Sequence, residues 1–253
     1  MGDSSLLSSA TTQTEPLTKI SARDRLIVAL DFPAADAALR LVDQLEGRAR
    51  WFKVGLELYV GAGPAIVERL VSQGYSVFLD LKLHDIPNTV AGAVRSAAGL
   101  GAGLLTIHAG GGPAMLKAAR EAAESVPDAP KLLAVTVLTS MDAGQLVAVG
   151  VERLPGSQVE LLAQMGMESG INGFVCSPQE VAALRKLTGP EGTLVIPGIR
   201  PAGAALGDQS RVATPAAALR DGASYLVVGR PITQVADPAR GLEAILAEMG
   251  EAV

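Results

Sequence analysis

Eight apolar, strand-like runs alternate with helical stretches along the chain, and that count constrains the fold more than any other feature. The strand-like runs span 26–31, 51–55, 75–82, 104–108, 132–138, 173–176, 193–197 and 225–228. Helical patterns occupy 34–45, 64–73, 88–99, 113–125, 158–169, 178–187 and 215–221, and a last one, 238–249, follows the eighth strand. Continuous Val/Ile/Leu strands alternating with helices mark a parallel sheet buried on both faces. Eight such repeats in roughly 230 residues predict a single-domain α/β fold, a (β/α)₈ or TIM barrel. A doubly wound open sheet is the alternative; it usually has fewer strands and often a Gly-x-Gly-x-x-Gly turn after the first. The first strand here ends Ala29-Leu30-Asp31-Phe32-Pro33, without that turn. Half the residues are apolar but only 3% are aromatic, as close packing of helix on sheet by small aliphatic side chains would produce. The barrel is expected over 23–253. Before it, 1–22 is rich in Ser and Thr, lacks periodicity and has no basic or apolar region of a secretory signal, so a flexible extension is expected there.

A formal charge of −5, with no local run of Lys or Arg, argues against a nucleic-acid-binding surface. A single cysteine, Cys176, precludes an intramolecular disulfide and suits the reducing cytoplasm. No apolar run reaches the ~18 to 20 residues of a membrane span. Neither a nucleic acid nor a membrane is therefore an expected partner.

The densest chemistry sits at 78–89, Phe-Leu-Asp-Leu-Lys-Leu-His-Asp-Ile-Pro-Asn-Thr. The stretch starts as a strand in which leucines alternate with polar residues, so Asp80 and Lys82 share one face and Leu79, Leu81 and Leu83 the other. Pro87 cannot continue a strand but fits the first turn of a helix, which puts Asp85 at or near the N-cap. Three charged groups thus crowd a strand-to-helix junction, the face on which α/β active sites form. A lone Asp-x-Lys on a strand is ordinarily a solvated pair of little weight. Here apolar flanks bury the strand and leave charge only at its mouth, which favours a functional reading. The other strand ends add Asp31, Lys53, His108, Thr139, Ser177, Pro197-Gly198 and Gly229-Arg230 to one polar ring.

Lys53 interrupts an apolar strand. It either snorkels to the surface or joins Asp80, Lys82 and Asp85 in an alternating array of charges that fixes its members' geometry. His108 and His84 read as structural side chains, and Gly110-Gly111-Gly112 as a plain βα turn. The segment 197–215 exceeds normal connection length and reads as a lid carrying Arg200, Gln209 and Arg211. Gly229 and Arg230 follow the eighth strand, where barrels often bind phosphate, and a guanidinium grips phosphate oxygens in pairs. Asp80 and Asp85 could be oxygen ligands, but Lys82 lies between them and would put a positive charge at the metal position. With no Cys/His cluster and no Walker-type loop, no metal site is expected.

Together these segments resemble the orotidine 5′-phosphate decarboxylase family. Its Asp-x-Lys-x-x-Asp signature matches Asp80, Lys82 and Asp85, followed by Ile86-Pro87-Asn88-Thr89. The likeness extends through Val-Ala-Leu-Asp31, Phe-Lys53-Val-Gly, Leu-Thr139-Ser, Pro-Gly-Ile-Arg200, Asp-Gln209-x-Arg-Val-Ala-Thr-Pro and Val-Val-Gly229-Arg230-Pro-Ile-Thr. The resemblance implies decarboxylation of orotidine 5′-monophosphate to UMP, the last step of de novo pyrimidine synthesis, without a cofactor. It implies that Lys82 protonates C6, that Asp80 sits against the substrate carboxylate, and that Lys53 and Asp31 bind the ribose side. It further implies a homodimer with shared sites, in which Asp85, Ile86 and Thr89 reach the neighbouring subunit's ligand. Thr139 would contact the pyrimidine, and Arg200, Gln209, Gly229 and Arg230 the phosphate end. Two other readings stand beside it: a Mg²⁺-dependent sugar-phosphate decarboxylase on the same Asp-x-Lys-x-x-Asp core, and a non-catalytic nucleotide-binding barrel.

Overall fold

The computed structural model describes residues 21–201 and 211–250, so Gln209 and nearly all of the expected extension lie outside the described residues. The eight strands are β1 (Leu26–Ala29), β2 (Trp51–Gly55), β3 (Ser76–Leu83), β4 (Leu104–His108), β5 (Lys131–Val135), β6 (Gly173–Val175), β7 (Thr193–Ile196) and β8 (Tyr225–Val228). They pair in parallel in sequence order, and β8 returns to β1 through Ile27 opposite Val227, closing the barrel. The single-domain TIM barrel read from the sequence is therefore the fold. β5 stops three residues short of the expected run, and Val137, Leu138 and Thr139 instead wall a cavity at the barrel mouth.

Helices cover the outside. In order they are α1 (Ala22–Arg25), α2 (Ala35–Gln44), α3 (Leu56–Ala62), α4 (Ala65–Ser72), α5 (Pro87–Ala98) and α6 (Gly112–Glu124). There follow α7 (Ala143–Ala148), α8 (Pro155–Glu168), α9 (Val181–Thr188), α10 (Pro215–Arg220), α11 (Arg230–Thr233) and α12 (Pro238–Gly250). The short α1, α3, α7 and α11 were not expected, since four to seven residues hold too few turns for a helical period to register. Proline opens several of the others: Pro87, Pro155 and Pro215 sit in the first turn, where the missing N–H costs nothing. Among the described residues no helix is long and apolar enough to cross a membrane.

Strand periodicity divides the core in two. Ile27, Ala29, Phe78, Leu104, Leu133, Val195 and Val227 fill the barrel interior. The alternate residues, among them Val28, Phe52, Leu79, Leu105, Phe174 and Leu226, face the helices and are essentially inaccessible. Each such large side chain contributes about 1.5–3 kcal/mol on burial. The same period of two sets Lys53 above Trp51, Asp80 above Phe78 and Thr106 above Leu104 on the inward face. An apolar plug thus supports a polar rim at the C-terminal ends of the strands.

Candidate active site

The rim is a chain of charges drawn from three strands. Lys53 Nζ lies 2.8 Å from Asp31 Oδ1 and 3.8 Å from Asp80 Oδ2. Lys82 Nζ donates to both Asp80 oxygens at 2.9 Å. Lys53 and Asp80 are only 12% and 13% exposed, so their pair is shielded better than a surface ion pair, whereas Asp31 at the outer end is 62% exposed. The order is Asp31, Lys53, Asp80, Lys82. Asp85, the sequence-stretch candidate for the fourth place, stands apart in a single copy of the chain. It is exposed, and among the described residues no cation lies within salt-bridge distance of it. Nor is it the N-cap of α5: Ile86 occupies that position, and Asp85 Oδ1 accepts the Ile86 N–H at 2.6 Å. Pro87 fixes the first helical position, so the turn before it uses the carboxylate locally.

Lys82 has a positive φ of 50°, uncommon for a residue with a side chain. The pairing explains the need. Leu79 faces Leu105, yet Leu83 faces Ile107, so four steps along β3 match two along β4. This bulge turns the strand end and still leaves Leu81 and Leu83 packed toward the helices, as alternation predicts. Thr106, absent from the sequence-based candidates, fits into it. Its fully buried hydroxyl accepts the Lys82 N–H at 2.8 Å and donates to Asp80 Oδ1 at 3.0 Å. A threonine in a run of Leu and Ile gives no sequence signal beyond its inward parity. Gly55 was also missed as a site residue: a Cβ there would lie 2.8 Å from Lys53 Nζ, so the glycine keeps room for the ammonium.

Two adjoining cavities open above the rim. The first is lined by Lys53, Asp80, Lys82, Thr139, Cys176 and an apolar floor that includes Phe78 and Val135. The second is lined by Asp31, Lys53, Gly198, Arg200, Gly229, Arg230 and Gln234. Lys53, Pro197 and Val227 belong to both, so the two are continuous. Their volumes, 140 and 370 Å³, together suit a ligand of nucleotide size. One end is therefore anionic and cationic side by side; the other is flanked by guanidiniums. Cys176 is no nucleophile here, because burial pushes its thiol well above the usual range.

Several expected ring members are elsewhere. Ser177 is fully buried, and its hydroxyl donates to Glu180 in a cap, since the chain turns into a 3-10 helix directly after β6. His108 stacks on His84 with ring centroids 5.0 Å apart, and its Nδ1 accepts the Gly110 N–H at 3.1 Å. Burial, then His84 and Lys82, lower its pKa. Neither histidine lines the two cavities described above. Ile86 and Thr89 are exposed at the β3–α5 junction and line neither cavity. Arg211 does not face the second cavity: it pairs with buried Glu180 at 2.7 Å and donates to Leu138 O at 3.0 Å, anchoring the wall that carries Thr139. Among the described residues no group of three or more His, Cys, Asp or Glu side chains is arranged to hold a metal.

Fold and rim together define a (β/α)₈ barrel whose charged cluster and two adjoining cavities lie at its C-terminal mouth. The chain belongs to the orotidine 5′-phosphate decarboxylase / HUMPS family, whose model matches residues 24–245. Orotidine 5′-phosphate decarboxylase from Nitrosococcus oceani is 53% identical over 227 residues, which is 90% of this chain and 98% of that protein. The Halorhodospira halophila protein of the same name is 54% identical over 228 residues, covering 90% and 97%. Among solved structures, orotidine 5′-phosphate decarboxylase from Lactobacillus acidophilus superposes with a TM-score of 0.78 at 41% identity, over 88% of this chain and 98% of that one.

Proposed function

We propose that this protein decarboxylates orotidine 5′-monophosphate to UMP without a cofactor, with Lys82 as the proton donor. One observation carries the assignment of roles: an ammonium pinned to a carboxylate, Lys82 on Asp80, faces a cavity that runs into a second one flanked by Arg200 and Arg230. Relatives at about half identity bear the name of this activity.

The chemistry suits the side chains. The bond between C6 and the carboxylate carbon breaks, CO₂ leaves, and the electron pair remains on C6, where the ring delocalises it poorly. A cation beside C6 stabilises that charge, and its N–H then supplies the proton. Asp80 would stand against the departing carboxylate. Like charges ~4 Å apart at an effective dielectric of ~20 repel by roughly 4 kcal/mol. Enzymes typically lower barriers by about 8–23 kcal/mol, so stabilisation of the carbanion must exceed ground-state repulsion. Lys53 and Asp31, joined at 2.8 Å, present donors and acceptors for the ribose. Thr139 meets the pyrimidine, and Gly229, Arg200 and Arg230 hold the phosphate, with Gln209 as a further contact. Binding energy from the remote phosphate then serves the step at C6.

We further infer a homodimer. Leu56 and Val60 on α3 and Ile86 before α5, on the segments that follow adjacent β2 and β3, are 55%, 82% and 67% exposed, apolar side chains that a second copy would cover. Asp85, Ile86 and Thr89 would then reach the partner's ligand, which accounts for the isolation of Asp85 in one chain.

The decline of orotate absorbance with time, measured with orotidine 5′-monophosphate with and without EDTA, tests this reading. Turnover equal in both is expected. Turnover abolished by EDTA would favour a Mg²⁺-dependent relative, and tight binding without turnover a nucleotide sensor.

A further inference from the structure

We propose that Thr106 is a positioning residue for the decarboxylation: its hydroxyl locks the left-handed backbone at Lys82 and orients Asp80, so that the ammonium and carboxylate meet the substrate in one geometry. The inference rests on the function proposed above and assigns a role to a side chain that lines neither of the two cavities.

Three observations converge on this hydroxyl. It is fully buried, with one hydrogen to give, and it gives it to Asp80 Oδ1 at 3.0 Å. It accepts the Lys82 N–H at 2.8 Å. Lys82 is itself at φ 50°, at the point where β3 takes four residues against two of β4. A left-handed conformation is strained for a residue with a Cβ and persists only where its surroundings over-determine it. The Thr106 oxygen is a fixed partner for the N–H that this conformation presents. The same oxygen tethers one of the two Asp80 atoms that hold Lys82 Nζ. One hydroxyl therefore fixes the backbone and the side-chain end of the lysine at once. A Val at this position keeps the shape and loses both bonds; a Ser keeps both bonds.

Thr106→Val and Thr106→Ser are compared with wild type for kcat, KM, the pH dependence of kcat and Tm. With Val, kcat falls about 10- to 100-fold, as misplacement of a reacting group by a fraction of an ångström to an ångström produces. KM stays within about threefold because the phosphate end is untouched, and the kcat–pH profile departs from that of wild type. Ser restores kcat to within about threefold of wild type. Unchanged kcat in the Val variant overturns the proposal, and so does an equal fall in Val and Ser that tracks Tm. Should Val fail to fold, Thr106→Ala makes the same deletion. If wild type itself fails to turn over orotidine 5′-monophosphate, the functional reading fails, and the structural claim is decided separately by a crystal structure of the Val variant. There Lys82 is expected to leave φ > 0 or Nζ to move beyond 4 Å from Asp80; retention of both overturns the positioning role.

Discussion

The barrel carries a charged cluster at each end, and the two are built on opposite plans. At the C-terminal rim, cations meet carboxylates: Lys53 with Asp31 and Asp80, Lys82 with Asp80, all beside a cavity. At the N-terminal end, Arg25 and Arg185 meet backbone. Arg185 donates to Gly222 O at 2.6 and 2.9 Å, Gly189 O at 2.7 Å and Gly192 O at 2.8 Å, and Arg25 donates to the carbonyls of Ala223 and Ser224. Among the described residues neither arginine has a carboxylate within salt-bridge distance, and burial lowers the pKa of both. Those guanidiniums staple the loops that enter β1, β7 and β8, with most of their bonds made to fixed backbone carbonyls. The lysines of the rim keep hydrogens that a ligand can take. Shielding of charge is common to both ends; what separates a working group from a structural one is the partner and the adjoining space.

The first way to break this contrast is Asp80→Asn. An amide cannot hold two ammoniums, so kcat should fall by about 10²–10³-fold, with Tm little changed. Arg230→Ala comes next, since a lost charged hydrogen bond is worth about 1.5–3 kcal/mol. A loss of about 10- to 150-fold in kcat/KM is expected for the 5′-phosphate substrate and none for orotidine, which lacks the phosphate. A smaller effect sharpens the geometry. Gly55→Ala puts a methyl 2.8 Å from the present position of Lys53 Nζ, and the flexible lysine yields. A loss of about 3- to 10-fold in kcat/KM is expected, at nearly constant stability.

The smallest effect is a slope. The folded-state pKa of His108 lies below the unfolded value of ~6.5, so the unfolded chain takes up a proton first as pH falls. The associated stability is complete above pH ~6.5 and is lost as pH drops through the lowered folded value. Urea midpoints between pH 7 and pH 5 should therefore fall less steeply for His108→Asn than for wild type.

The plan of the barrel was open to reading because eight apolar runs and their helices repeat at a period that burial enforces, and parity alone aims Lys53 and Asp80 inward. The ends of the strands were harder. Its place at a strand end put Ser177 in the ring, but the turn after β6 uses its hydroxyl in a cap with Glu180. Asp85 looked like a member of the array by spacing, whereas Asp31, distant in sequence, holds the place beside Lys53. Thr106 escaped notice because its role comes from Asp80 and Lys82 on the neighbouring strand, and Gly55 because its role is the space it leaves to the Lys53 ammonium; local pattern encodes neither.

The most direct measurement sets Lys82→Ala beside Arg185→Ala, each assayed for turnover of orotidine 5′-monophosphate and for Tm. The account predicts that the lysine variant loses more than about 10⁴-fold in kcat and unfolds within about 2 °C of wild type. The arginine variant should retain kcat while losing about 3 kcal/mol, a fall of about 6–12 °C in Tm. Near-normal turnover in Lys82→Ala would contradict it.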